Sequence, residues 1–162
     1  SVIAKPLRNE TLNALWWELQ RKAGVNGIPA RNAYRASVRA LKDNGLVGFM
    51  LDQNRPADQA VFVDFFGQPA ATTPGLAVMS AHTGAPVLPV FIRRLPDGRN
   101  MVEARPPLEP PPDRQPETIR AFTATCTTTI EDEIRRYPEQ WLWWHKRWKS
   151  RPPAAAAVST AP

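Results

Sequence analysis

Leu46-Val47-Gly48-Phe49-Met50-Leu51 is an unbroken apolar run that ends on a carboxylate, Asp52. A run of this length, bounded by turn residues, predicts a strand buried on both faces. A strand of that kind needs sheet neighbours and covering helices, which selects an α/β layer architecture. In open α/β sheets ligands sit beyond the carboxyl ends of strands, the position Asp52 would take. After Asp52-Gln53-Asn54 comes a polar loop. It leads to Phe65-Phe66-Gly67, Ala70-Ala71-Thr72-Thr73-Pro74-Gly75 and a second apolar run that starts at Gly84-Ala85-Pro86-Val87.

The rest of the chain supplies helices and strands in alternation. Val2-Ile3-Ala4 is a short strand stopped by Pro6, and Asn9 caps a helix whose Leu12, Leu15, Trp16 and Leu19 form one apolar face. Gly24 ends that helix, and Val25 to Pro29 is a second strand or turn. Arg31-Asn32 precede a helix with Val38 and Leu41 inward and Arg35, Arg39 and Lys42 outward; Asn44-Gly45 closes it. Arg55 to Gln59 is loop, and Val61-Phe62-Val63 is a short extended piece. Thr72-Thr73-Pro74 marks a helix entry, a threonine cap followed by proline at the first helical position, and the helix stops near Gly84. Pro86 to Arg94 is the next strand, turned by Pro96-Asp97-Gly98 into an antiparallel return over Asn100 to Arg105. Glu117 to Arg136 is the longest helix, striped by Ile119, Phe122, Cys126, Ile130 and Ile134. Pro138 breaks it, and a tryptophan-rich helical piece is expected over Glu139 to Lys149.

Together these elements predict an α/β fold with a mostly parallel sheet flanked by helices. Four stretches follow: an α/β core over 1–105, a proline-rich connector over 106–116, carboxy-terminal helices over 117–151 and a disordered tail over 152–162.

Charge and cysteine content narrow the function. The 162 residues carry a formal charge of +6, which suits an anionic partner: phosphate, nucleic acid or an acidic membrane surface. A solvated positive surface explains the same balance. With Cys126 as the one cysteine, neither an intrachain disulfide nor a multi-cysteine metal site can form. No apolar run approaches the roughly 20 residues that span a bilayer. Ser1 in place of a methionine, running straight into Val2-Ile3-Ala4, gives the expectation that the chain enters mid-fold.

Asp52 is the sharpest candidate for chemistry, because a carboxylate after a buried strand needs a partner or a polar pocket. It can orient a substrate or an arginine there, or serve only as a structural ion pair or cap. Gln53 follows it. Arg31 leads the helix that feeds this strand and can fork onto phosphate or carboxylate; a surface arginine is the plain alternative, and Arg21 is a weaker candidate. Thr72 and Thr73 stand at a helix start, which is either an ordinary cap or an anion site. Neither His82 nor His145 has an acidic residue five positions on: Val87 and Ser150 stand there. No Walker loop and no metal-ligand spacing is present. Trp141, Trp143, Trp144 and Trp148 alternate with Lys146, Arg147, Lys149 and Arg151, a pattern that suits a lipid headgroup interface or stacking on nucleic-acid bases. A partly buried tryptophan cluster with solvated cations explains it as well.

The chain resembles the lipid A biosynthesis acyltransferases, the group of the lauroyl and myristoyl transferases, within the lysophospholipid acyltransferase superfamily. The matching pieces are Leu51-Asp52-Gln53, Phe65-Phe66-Gly67, Ala71-Thr72-Thr73, Gly84-Ala85-Pro86-Val87 and Pro138-Glu139-Gln140-Trp141-Leu142-Trp143, then His145 and Lys146-Arg147-Trp148-Lys149-Ser150-Arg151-Pro152. Their order agrees from about Val2 to Pro153. The resemblance implies a glycerolipid-acyltransferase-like fold, incomplete at its amino-terminal side. It also implies transfer of a fatty acyl chain from acyl carrier protein, or coenzyme A, to a hydroxyl of a glycolipid or lysophospholipid. The expected place is the cytoplasmic face of the bacterial inner membrane, with no cofactor, no metal and no nucleic acid. Family members use a histidine base in a His-x4-Asp/Glu motif, in which the acid sets the imidazole tautomer. This chain lacks the motif, so it is expected to be the carboxy-terminal part, inactive by itself. What carries over is a substrate-binding set of Arg31, Asp52, Gln53, Thr72 and Thr73, with Arg21 an alternative to Arg31. The membrane-facing set is Trp144, Arg147, Trp148 and Lys149. The rival expectation is a non-catalytic module that binds anionic lipid or nucleic acid through the tryptophan-rich end.

Overall fold

The computed structural model describes residues 1–31 and 33–153. Its elements are β1 (Val2–Ala4), α1 (Glu10–Lys22), β2 (Gly27–Pro29), α2 (Ala33–Lys42), β3 (Val61–Phe65), β4 (Gln68–Thr72), α3 (Gly75–Thr83), β5 (Val90–Arg94), β6 (Asn100–Ala104) and α4 (Pro116–Arg136). The fold is mixed α/β, but a mostly parallel sheet is not formed. Among the described residues the strands make three two-stranded sheets: β1 with β2 is parallel, while β3 with β4 and β5 with β6 are antiparallel.

The run from Leu46 to Leu51 is extended but not buried on both faces. One parallel bridge joins Gly48 to Val2, with Gly48 N–H donating to the Ser1 carbonyl at 2.7 Å. Leu51 is buried, yet Leu46 is 84% exposed and Met50 70%. The second apolar run behaves alike: Val87 bridges Leu108, and a regular strand begins only at Val90. Apolar composition specified extended backbone in both runs without supplying a partner for the second edge.

Local signals are obeyed where their partners are close in sequence. Asn9 Oδ1 accepts the Leu12 N–H at 3.0 Å, and Gly24 leaves α1 at φ +74°. The α1 stripe of Leu12, Leu15, Trp16 and Leu19 faces solvent, however, and half-buried Trp17 makes the packing contact instead. On α2, Arg35, Arg39 and Lys42 face outward as expected. Asn32, expected ahead of that helix, and most of the expected tail lie outside the described residues. The β5–β6 hairpin and the α4 helix form as the sequence predicts. The segment after Pro138 does not form the expected helix: a single 3-10 turn over Pro138–Gln140 is followed by bends.

A β3–β4 hairpin replaces the expected lone extended piece. It turns on Phe66 (φ +55°) and Gly67 (φ +74°), the left-handed pair that a two-residue hairpin turn needs. The hairpin brings Phe65 and Ala70 onto Ile134 of α4 in the core, roofed by Phe66, Ile130, Trp141 and Trp148. α4 buries threonines beside its isoleucines because each hydroxyl is satisfied locally. Thr123 and Thr127 donate to the carbonyls of Ile119 and Thr123 at 2.7 and 2.8 Å, so neither hydroxyl is stranded.

Candidate functional site

A cavity of about 530 Å³ opens between the two extended runs. Val47, Phe49 and Leu51 line one side and Val87, Leu88 and Phe91 another, with Leu76 and Met79 of α3 and Cys126 and Ile130 of α4 closing it. The lining is largely apolar. Asp52 joins it where the first run ends, and Glu133, Tyr137 and Gln140 add polar groups.

The Asp52 carboxylate is half-buried and accepts the Trp141 indole N–H at 3.4 Å. Behind it stands a cation that the spacing did not reveal. Arg147 is 1% exposed. Its guanidinium donates to the Ala71 carbonyl at 2.9 Å and to the Thr72 hydroxyl, and lies 5.2 Å from the centre of the Phe65 ring. Burial lowers the Arg147 pKa, and the nearby Asp52 charge opposes that shift. Asp52 and Thr72 are therefore linked electrostatically through Arg147, a residue from the far end of the chain.

The other expected binding residues separate from Asp52. The Thr72 hydroxyl is buried and already engaged, donating to Ala70 O at 3.1 Å as well as accepting from Arg147. Thr73 Oγ1 accepts the Gly75 N–H at 3.2 Å, but the expected threonine cap with proline at the first helical position is not formed: Pro74 is the cap residue, without a side-chain cap bond, and α3 begins at Gly75. Gln53 and Arg31 are exposed, and neither lines the cavity. Among the described ion pairs, none joins Arg31 or Arg21 to Asp52.

The expected membrane-facing set also divides. Trp144 is 91% exposed and Lys149 is exposed, but Trp148 stacks on Phe65 with centroids 5.5 Å apart. Arg147 points into the core, so the tryptophans and cations do not share one surface. Burial against the hairpin, invisible in the alternation of residue types, is the reason.

Among the described residues neither histidine is paired with an acid. His82 Nδ1 meets the Tyr34 hydroxyl, and His145 Nε2 accepts the Asn54 N–H at 2.9 Å. Cys126 borders the cavity, and burial pushes its thiol up to about 11, which keeps it protonated and a poor nucleophile at neutral pH. Among the described residues no group of His, Cys, Asp and Glu converges to hold a metal ion, and no helix is long and apolar enough to cross a membrane.

This geometry lies inside a region that matches a known family from end to end: residues 1–150 fit the model for the bacterial lipid A biosynthesis acyltransferases. The chain belongs to that family. It is similar to the lipid A biosynthesis palmitoleoyltransferase of Escherichia coli K12, 37% identical over 150 residues, covering 91% of this chain and 47% of that protein. The lauroyltransferase of the same organism is 33% identical over 125 residues, covering 75% and 40%. Its myristoyltransferase is 25% identical over 152 residues, covering 90% and 44%. The chain thus spans less than half the length of these relatives.

Proposed function

We propose that this acyltransferase-family chain forms the substrate pocket of an enzyme that moves a fatty acyl chain onto a hydroxyl of a lipid A precursor, or of a related glycolipid or lysophospholipid. The donor in this reading is a thioester of acyl carrier protein or coenzyme A. The observation that carries it is the placement of Asp52, a half-buried carboxylate at the end of a largely apolar cavity. An apolar cavity stabilises hydrocarbon by about 0.8 kcal/mol for each methylene buried. The carboxylate can orient a polar headgroup at the same place, so one site presents both halves of an amphiphile.

The base that takes the proton from the acceptor hydroxyl lies outside this chain. In this reading the base is a histidine, which needs a free acceptor nitrogen within hydrogen-bond reach of that proton. His82 and His145 are engaged with Tyr34 and Asn54, and neither lies in the cavity lining. The enzyme would work against the cytoplasmic face of the inner membrane, where such acceptors are held. Incubating the purified chain with acyl carrier protein thioester and a lipid A precursor tests the division of labour. The expected result is no transfer above the buffer blank; turnover would place a working base among these residues and overturn that part of the proposal.

A further inference from the structure

The loop that carries Asp52 is fastened by a segment some ninety residues later in the chain. The Asn54 backbone N–H donates to His145 Nε2 at 2.9 Å. Asn54 and Ser150 exchange two bonds: Asn54 Nδ2 donates to Ser150 Oγ at 3.2 Å, and the Ser150 N–H donates to Asn54 Oδ1 at 3.1 Å. The Ser150 hydroxyl donates in turn to the Arg55 carbonyl at 2.7 Å. With Trp141 on Asp52 itself, every residue of the loop from Asp52 to Arg55 except Gln53 is held by the 141–150 segment.

One of these bonds depends on protonation. A backbone N–H can only donate, so His145 Nε2 must present a bare lone pair, with the ring proton on Nδ1. A doubly protonated ring has N–H groups at both nitrogens, and two donors would then face each other. The charged groups around the contact are Asp52 and Arg55 on the loop side. On the ring's own segment they are Lys146, Arg147 and Lys149, with the Arg147 guanidinium reaching across to β4.

We propose that His145 is a positioning residue for Asp52: its unprotonated Nε2 fixes the Asn54 amide and, through it, the loop that holds the carboxylate at the cavity. The inference rests on the reading of Asp52 as part of the substrate pocket. His145 transfers no proton in this role. Its contribution is the loop's geometry, and that contribution disappears when the ring takes a second proton.

The test is an NMR titration of the complete nitrogen-15-labelled chain from about pH 8 to about pH 5, the span in which histidine changes charge. The Asn54 amide and the Trp141 indole N–H resonances are expected to move together with one midpoint, and the protection of the Asn54 amide, taken relative to the intrinsic exchange rate at each pH, to fall about tenfold as its bond opens. In His145→Gln, whose side-chain oxygen accepts the same bond at every pH, both resonances stay flat. An Asn54 signal that does not titrate in the unaltered chain overturns the proposal, as does one that titrates equally in His145→Gln. A Trp141 indole that ignores the transition also overturns it, by showing that the bond does not reach Asp52. Matching far-UV circular dichroism establishes that the variant is folded, and the unaltered chain's titration decides the question if it is not. No turnover is read, so an inactive chain leaves this result standing, and a flat titration leaves the acyltransferase reading standing.

Discussion

Arg147 donates to the hydroxyl of Thr72, 75 residues earlier, and the bond is buried from both sides. The guanidinium ties the irregular carboxy-terminal segment to the end of β4, immediately before the turn into α3. Taking such a cation out of water costs several kcal/mol; its two acceptors and the Phe65 ring offset part of this, while its buried Nε has no partner among the described residues. Removing it leaves a cavity beside Phe65 and loosens the segment that also holds the Asp52 loop. Arg147→Ala is expected to lower unfolding stability by about 3 kcal/mol, and Arg147→Met, which keeps the stem packing without the charge, by less than half of that. Urea denaturation of the three proteins checks the order; equal losses for Ala and Met would assign the effect to charge rather than to packing.

Gly27 sits under the ring of Trp17, which is half-buried while Leu12, Leu15, Trp16 and Leu19 of α1 face solvent. A Cβ built on Gly27 would fall 1.7 Å from Trp17 Cζ3 and 2.3 Å from Cε3. Gly27→Ala must therefore displace an indole, at a cost of about 1 to 3 kcal/mol. Combining it with Trp17→Ala, which vacates the space, should make the double mutant more stable than the sum of the singles by at least about 1 kcal/mol. A strictly additive cycle would show that the two residues do not meet.

The features legible in the sequence are those whose cause is local. Asn9 and Gly24 act within a few residues of themselves, and each does what its chemistry requires. The Phe66-Gly67 turn was also local, and the signal was present: a glycine between two extended stretches. Phenylalanines beside that glycine resemble a strand interior rather than a turn, which masks the signal. The partners of the apolar runs and of Arg147 are set by contacts far apart in sequence, which no period or spacing encodes. Asp52 ends an apolar run, and it borders the cavity where that run ends. Gln53 adjoins Asp52 in the chain and Arg31 leads the helix that feeds its run, but neither relation specifies a shared cavity, and both side chains are exposed, outside the lining.

Cys126 gives the chain an alkaline weakness. Its thiol is pushed up to about 11 by burial, whereas a thiol in the unfolded chain ionises near pH 8.5. The folded form thus keeps a proton that the unfolded form has lost. The stability this represents is fully present below about pH 8.5 and drains away as pH rises toward 11, amounting to about 3 kcal/mol in all. Comparing the chain with Cys126→Ala by urea denaturation at pH 8 and pH 10.5 isolates this contribution from lysine and tyrosine titration. The native protein should lose ground to the variant over that interval; an unchanged difference would mean that the thiol is not sequestered in the fold.

Asp52 is the residue on which the functional reading depends most directly. In a chimera where the aligned stretch of this chain replaces its counterpart in the Escherichia coli palmitoleoyltransferase, the rest of the relative's sequence, which this chain does not cover, is retained. Removing a charge that orients a substrate at the reacting centre typically costs about a hundredfold or more in rate. Asp52→Ala in the chimera is expected to lower kcat by that order. The fall in kcat/KM should be at least as large, because the headgroup loses its anchor in ground and transition states alike. Asp52→Asn, which still accepts the Trp141 indole N–H and keeps the loop closed, should fold like the parent and lie between the two in rate. A chimera whose Asp52→Ala form turns over at the parent rate would reduce Asp52 to a partner for Trp141 and leave the cavity without its polar end.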